Sequence, residues 1–368
     1  MVKLSAFFLG AFLACNVSAD LIAAPACTTP TVTIPPVSTG GYCAPATTNN
    51  VVYGAGNNLV GNLNSIVGSQ NTVQGYSNSL LGNNNVNLGS YSTVVGSQNV
   101  LQGNYNQVQG NLNGVIGSVN TVVGSGNGVV GNYNGVSGNL NNLTGSGNLV
   151  DGSVNTISGN LNTIANGNYN TISGAQNVIN TGNYNGVIGA GNYVQGSANL
   201  VNGNVNALVG NYNLVGGSSN NIAGSGNQVA GNCNDLVGGS NSVIGSGNDL
   251  NGYLNTVQGD VNSIQGSSNN IAGSGNLAIG NSNNLLGVAQ TAIGSNNNLY
   301  GTLNSVLGNS NLATGISNTI VGNNNLAAGT ANSQIGSGNV AIGTANSQFG
   351  NQNTAIGCAN TAVGVGNT

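Results

Sequence analysis

The chain has 368 residues, of which one is basic and five are acidic; it holds no histidine and no tryptophan, and 63 of its residues are glycine. Nucleic-acid binding and a basic membrane-surface patch both need Lys or Arg to meet phosphates, so both are excluded. General acid–base catalysis is reduced to Asp151, Asp235, Asp249 and Asp260, which fall singly along the chain; read as solvated charges that keep a neutral surface soluble, they point to no enzyme and no cofactor.

Residues 1–19, MVKLSAFFLGAFLACNVSA, have the shape of a secretory signal. Lys3 precedes an apolar run from Leu4 to Ala14, and Val17 and Ala19 stand at the −3 and −1 positions of a cleavage site before Asp20. A membrane anchor is the alternative, but the run is short for a bilayer. Acylation at Cys15 is a second alternative, with Phe12, Leu13 and Ala14 a poor match to the usual pattern. Cleavage removes the only Lys. The mature protein is expected to be extracellular, free of membrane insertion and resistant to trypsin.

Residues 20–50 hold all five prolines and many threonines, which reads as an extended, Pro/Thr-rich N-terminal segment. Cys27 and Cys43 lie within this segment, flank a Pro/Thr-rich stretch of it and are the expected disulfide, closing a small loop, since secretion permits one. Cys233 and Cys358 are far apart along the repeat, as inert thiols or intermolecular links. No residues cluster with the short spacings a metal needs.

From Gly54 onward a heptad takes over and defines residues 51–368. Glycine recurs at every seventh position from Gly54 to Gly159, then at Gly167, Gly174 and Gly182, and again at every seventh position from Gly189 to Gly364. Asn stands three residues after each glycine, with Ser92 and Gln290 as exceptions. Val, Ile or Leu stands five residues after it from Leu59 through Ile271, Asn87 excepted. A coiled coil needs two apolar positions per heptad and good helix formers, and this repeat has one apolar position with glycine and asparagine. A disordered Asn-rich chain would not keep an aliphatic in phase. The pattern predicts an all-β protein: a β-solenoid, or parallel β-roll, in which the aliphatic fills the core. Glycine and asparagine are expected to turn the chain and to form hydrogen-bonded ladders at the corners.

Three features predict that one coil is made of two heptads, fourteen residues in all. The two eight-residue glycine spacings are separated by one heptad and so fall on one side. Beyond Ile271 the apolar position splits into two rows: Ala278, Ala292, Val306, Ile320, Gln334 and Gln348, and Leu285, Leu299, Ala313, Ala327, Ala341 and Ala355. GTANSQ recurs two heptads apart, at 329 and 343. Against this, NNIAGSGN recurs at 220 and 269, an odd number of heptads apart.

At the C-terminal end the motif becomes NVAIGTANSQFGNQNTAIGCANTAVG, residues 339–364. It resembles the head repeat of the trimeric autotransporter, YadA-like adhesins, most closely from Leu277 to Gly364 and more loosely back to Gly54. The resemblance implies a left-handed parallel β-roll, a trimer and adhesion to host matrix or surfaces. The stalk and membrane barrel of that family are expected to be absent.

Three further readings concern surfaces. Ile335, Ile342, Phe349, Ile356 and Val363 precede glycines in one apolar row: they face outward as an interface if the preceding alanines face in, or form the core if the register shifts. Tyr91, Tyr105 and Tyr133 are expected on one edge, and Tyr169, Tyr184 and Tyr212 on the other, where aromatic rings and Asn amides would hold a surface glycan. Asn142 heads the only glycosylation sequon of the mature chain, Asn142-Leu143-Thr144. The principal reading is a secreted structural or adhesive rod that self-associates as a trimer or end to end. Carbohydrate binding is the alternative, and ice binding is weaker because the flanking positions mix Ser, Thr, Gly, Asn and Gln.

Overall fold

The computed structural model describes residues 49–368, so the signal segment, Cys27 and Cys43 lie outside the described residues. The described residues form 45 strands of two to five residues and no helix. β1 (Val51–Tyr53), β2 (Asn58–Val60), β3 (Ser65–Val67) and β4 (Thr72–Gln74) set the pattern. β1 pairs in parallel with β3, Val51 opposite Ser65, and β2 with β4, Asn58 opposite Thr72. Register partners are therefore two heptads apart, and two heptads make one coil. Successive strands alternate between two parallel sheets, a first that begins with β1 and ends at Thr361–Val365, and a second that begins with β2 and ends at Thr354–Cys358. At ~4.8 Å per coil, about 22 coils run ~105 Å along the axis.

Each strand carries one inward side chain between two outward ones. In the coil from Gly110 to Val123, Val115 and Val122 are buried and face each other across the two sheets, and Asn113 and Asn120 are buried at the corners. One valine per heptad, worth ~1.5–3 kcal/mol on burial, makes a thin core. The buried asparagines supply the second cohesive element. The backbone N–H and the Nδ2 of Asn113 both donate to Oδ1 of Asn99 at 3.0 Å, and Nδ2 also donates to the Gly124 carbonyl at 2.8 Å. Its own Oδ1 accepts the same pair from Asn127 at 3.0 and 3.1 Å. Every polar atom of the side chain is satisfied, which is the condition for burying an amide.

The corners depart from expectation in one respect. Glycine turns the chain, but the asparagine does not occupy the left-handed region. That conformation falls on the variable residue two places after glycine, with φ of 58° at Tyr105, 60° at Leu112 and 62° at Val119. The asparagine has to keep a backbone that aims its amide inward, so its neighbour takes the turn. The glycine is required for space as well as for φ. At Gly210, with φ +136°, an added Cβ would lie 1.9 Å from the Gly224 carbonyl oxygen of the adjacent coil.

The irregularities follow the same geometry. The two eight-residue spacings sit in consecutive coils of the first sheet, after Thr163–Ile164 and at Val178–Thr181, and ladder partners there are 15 residues apart, as Asn170 with Asn155. The two late apolar rows separate into the two sheets, Ala278 opposite Ala292 in one and Leu285 opposite Leu299 in the other. The repeated NNIAGSGN places Ile222 in the first sheet and Ile271 in the second. Both half-coils use the same corner, so the motif serves either side.

Candidate binding surfaces

The outward side chains form two faces and two edges, and regularity along them is uneven. On the first sheet the strands from Thr291–Ile293 to Thr361–Val365 present two continuous columns. One is Thr291, Ser305, Thr319, Ser333, Ser347 and Thr361; the other is Ile293, Leu307, Val321, Ile335, Phe349 and Val363. Elsewhere the same positions mix polar, small and apolar residues.

The alanines and glutamines of these coils point inward and the apolar residues after them point out. The five residues read as one row divide, however: Ile335, Phe349 and Val363 lie on the first sheet, Ile342 and Ile356 on the second, on opposite faces. A coil of two heptads sends alternate heptads to opposite sides, so a row spaced by single heptads cannot be one surface. The continuous column is spaced by whole coils and reaches back through Ile293 to Ile279. Beneath it, Gln334 and Gln348 are buried and stacked, Nε2 of the first donating to Oε1 of the second at 2.8 Å.

The six candidate tyrosines occupy left-handed corner positions. Tyr91, Tyr105 and Tyr133 follow strands of the second sheet, and Tyr169, Tyr184 and Tyr212 follow strands of the first, which places the two sets on opposite edges. Tyr91 and Tyr105 are stacked with ring centroids 4.9 Å apart and planes 6° from parallel; Tyr169 and Tyr184 stack at 4.9 Å and 7°. Stacking covers one face of each ring, leaving less aromatic surface for a sugar than free rings would offer.

The residue just after glycine builds a second ladder along both edges. Ser97 N–H donates to Asn111 Oδ1 at 2.8 Å, Asn111 N–H to Ser125 Oγ at 3.2 Å, and Ser125 N–H to Asn139 Oδ1 at 2.8 Å. Its backbone donors point toward later coils, whereas those of the buried asparagine ladder point toward earlier ones. The alternation of Ser and Asn at every second heptad was its available sequence signal.

The charged residues are dispersed. Asp235 and Asp249 are register partners on an exposed face, and Asn221 Nδ2 donates to Asp235 Oδ1 at 3.1 Å. Among the described residues no three His, Cys, Asp or Glu side chains lie together. Cys233 and Cys358 are exposed free thiols. Asn142 is exposed at the start of the strand Asn142–Thr144, with Thr144 on the same face.

Comparison with known proteins gives one family. Residues 143–239 match the family model of the grass antifreeze beta roll. The match spans about a quarter of the chain. No curated protein matches. Among solved structures, the crystal structure of the polySia specific acetyltransferase NeuO aligns at 14% identity over 59% of this chain and 75% of its own, with a TM-score of 0.10, too low to bear on fold or function.

Mostly within residues 143–239, the second-sheet face carries a shallow depression of ≈ 440 Å³ between Ile188 and Ile244. It forms where Gly216 and Ala230 replace larger outward side chains, with Leu200 and Leu214 along its side.

Proposed function

We propose that the protein is a secreted, non-enzymatic rod that binds ice through a flat solenoid face. The observation that carries this reading is the match of residues 143–239 to the grass antifreeze beta roll. The chain's own surface supports it: coils repeat at a fixed ~4.8 Å, so outward groups repeat at that spacing too. The face is uncharged, with a column of hydroxyl groups that can hydrogen-bond water beside a column of apolar side chains. The Thr291–Thr361 and Ile293–Val363 columns are the most regular such face, and they lie outside the matched span. The test is thermal hysteresis and inhibition of ice recrystallisation by the mature protein. Hysteresis with faceted ice crystals is expected; crystals that grow as in buffer overturn the proposal.

A second reading is the structural or adhesive rod, assembled as the trimer that the adhesin-like repeat implies. The Ile293–Val363 column favours it, because a contiguous exposed apolar strip marks an interface. Light scattering decides between them: the mass of three chains supports assembly, and the mass of one chain removes it.

A further inference from the structure

We infer that Tyr91–Tyr105 and Tyr169–Tyr184 are sites of oxidative cross-linking, at which a peroxidase-type oxidant joins adjacent coils through dityrosine. The two stacked pairs bring phenol rings of consecutive coils to 4.9 Å with nearly parallel planes. All four rings are reachable, with exposures of 54%, 56%, 51% and 64%. Each ring stands at a corner on a single backbone position, so rotation about its own side-chain bonds slides its edge along its neighbour's. The pairing is imposed by the solenoid, because residues one coil apart are held ~4.8 Å apart whatever their side chains do.

Composition removes the competitors for an oxidising equivalent other than cysteine. The chain has no tryptophan and no histidine, and its only methionine is Met1. Cysteine and methionine are the side chains an oxidant otherwise consumes first. The thiols of the described residues, Cys233 and Cys358, come more than three coils after Tyr184. Among the described residues, a tyrosyl radical formed in either stack therefore has the other ring of the pair as its nearest oxidisable neighbour.

Each phenol gives up one electron and its proton to become a phenoxyl radical. The two radicals join through ring carbons ortho to oxygen. Each of those carbons then releases its hydrogen as a proton while each oxygen regains one. Two electrons and two protons leave in all, and one hydrogen peroxide takes them up to become two waters. The product bridges two coils covalently on each edge. Tyr133 and Tyr212 lie two coils beyond their respective pairs and have no stacked neighbour among the described residues, so no partner ring is held beside either. The extracellular reading matters here only as the source of the oxidant.

The experiment treats the full mature chain with peroxidase and hydrogen peroxide, denatures it and isolates the monomer. Cleavage before Asp151 and Asp235 puts Tyr91 and Tyr105 in one fragment and Tyr169 and Tyr184 in another. Dityrosine fluorescence in the monomer is expected, with each fragment lighter by two hydrogens. The double variant Tyr105→Phe with Tyr184→Phe should lose both signals, while Tyr133→Phe with Tyr212→Phe, which touches neither stack, keeps them. Phenylalanine keeps the ring and its stack, so unchanged far-ultraviolet circular dichroism certifies the fold. A monomer without dityrosine, or a Tyr105→Phe/Tyr184→Phe variant that retains it, overturns the inference.

Discussion

Replacing Asn199 with alanine tests whether the buried amide ladder holds the coils together. Asn199 Nδ2 donates to Asn185 Oδ1 at 3.1 Å and to the Gly210 carbonyl at 2.8 Å. Its Oδ1 accepts the Asn213 N–H and the Asn213 Nδ2, both at 3.0 Å. Truncation leaves three groups without these partners: the part-buried Gly210 carbonyl, the buried Asn213 backbone N–H and one buried Asn213 amide hydrogen. Each orphaned group costs about 1–3 kcal/mol, and a water entering the vacated space recovers part of it, so a net loss of ~3–5 kcal/mol is expected. Contacts reach only neighbouring coils, so the damage should stay local. Hydrogen exchange read by mass spectrometry on peptides spanning residues 185–213 is therefore the assay, since one global unfolding energy is not defined for a long repeat. Faster exchange confined to these coils is expected. Asn199→Ser should recover about 1 kcal/mol, because a hydroxyl accepts the next N–H as Ser92 accepts that of Asn106 at 3.3 Å. Wild-type exchange at Asn213 in the alanine variant would refute the ladder's role.

Two glycines of one heptad should behave differently. Gly224→Ala places a Cβ 1.7 Å from the Gly238 carbonyl oxygen and should prevent these two coils from stacking, seen as fast hydrogen exchange in peptides covering residues 210–238; Gly226→Ala meets nothing closer than Ser240 Oγ at 3.5 Å and should cost only ~1–2 kcal/mol for its left-handed backbone. Asn87 is buried in the core row with both amide atoms unpartnered, so Asn87→Val should slow local exchange by the equivalent of ~1–3 kcal/mol. Thr319→Lys, in the middle of the most regular face, should abolish ice-growth inhibition while leaving circular dichroism unchanged; undiminished activity would move the ice-binding face elsewhere.

The solenoid was legible because one aliphatic and one asparagine keep phase with glycine, and a strict phase has meaning only if each repeat packs on the next. Coil size was legible from residues that differ between the two halves, such as Ala292 against Leu299. The left-handed corner was not: Tyr105, Leu112 and Val119 share no chemistry that marks a turn, because the asparagine ladder and the adjacent coil impose the conformation on whatever residue stands there. The interface row was misplaced for a related reason. Ile335 and Ile342 look adjacent on a seven-residue beat, but a half-coil separates them onto opposite faces. The column that does continue, from Ile293 to Val363, becomes visible only when the sequence is read at every second heptad.

The interchangeability of the two half-coils bears on how such a gene can change length. Loss or gain of two heptads removes or adds a whole coil, and every residue downstream keeps its face. Loss or gain of a single heptad leaves the core and both glycine corners intact, yet transfers every downstream outward residue to the opposite sheet. The copies of NNIAGSGN, with Ile222 in one sheet and Ile271 in the other, display this relation within a single chain. Replication slippage by one heptad would therefore be silent for folding and an inversion for binding. A surface function that depends on one face constrains the parity of the heptad count ahead of it, and leaves the count itself free.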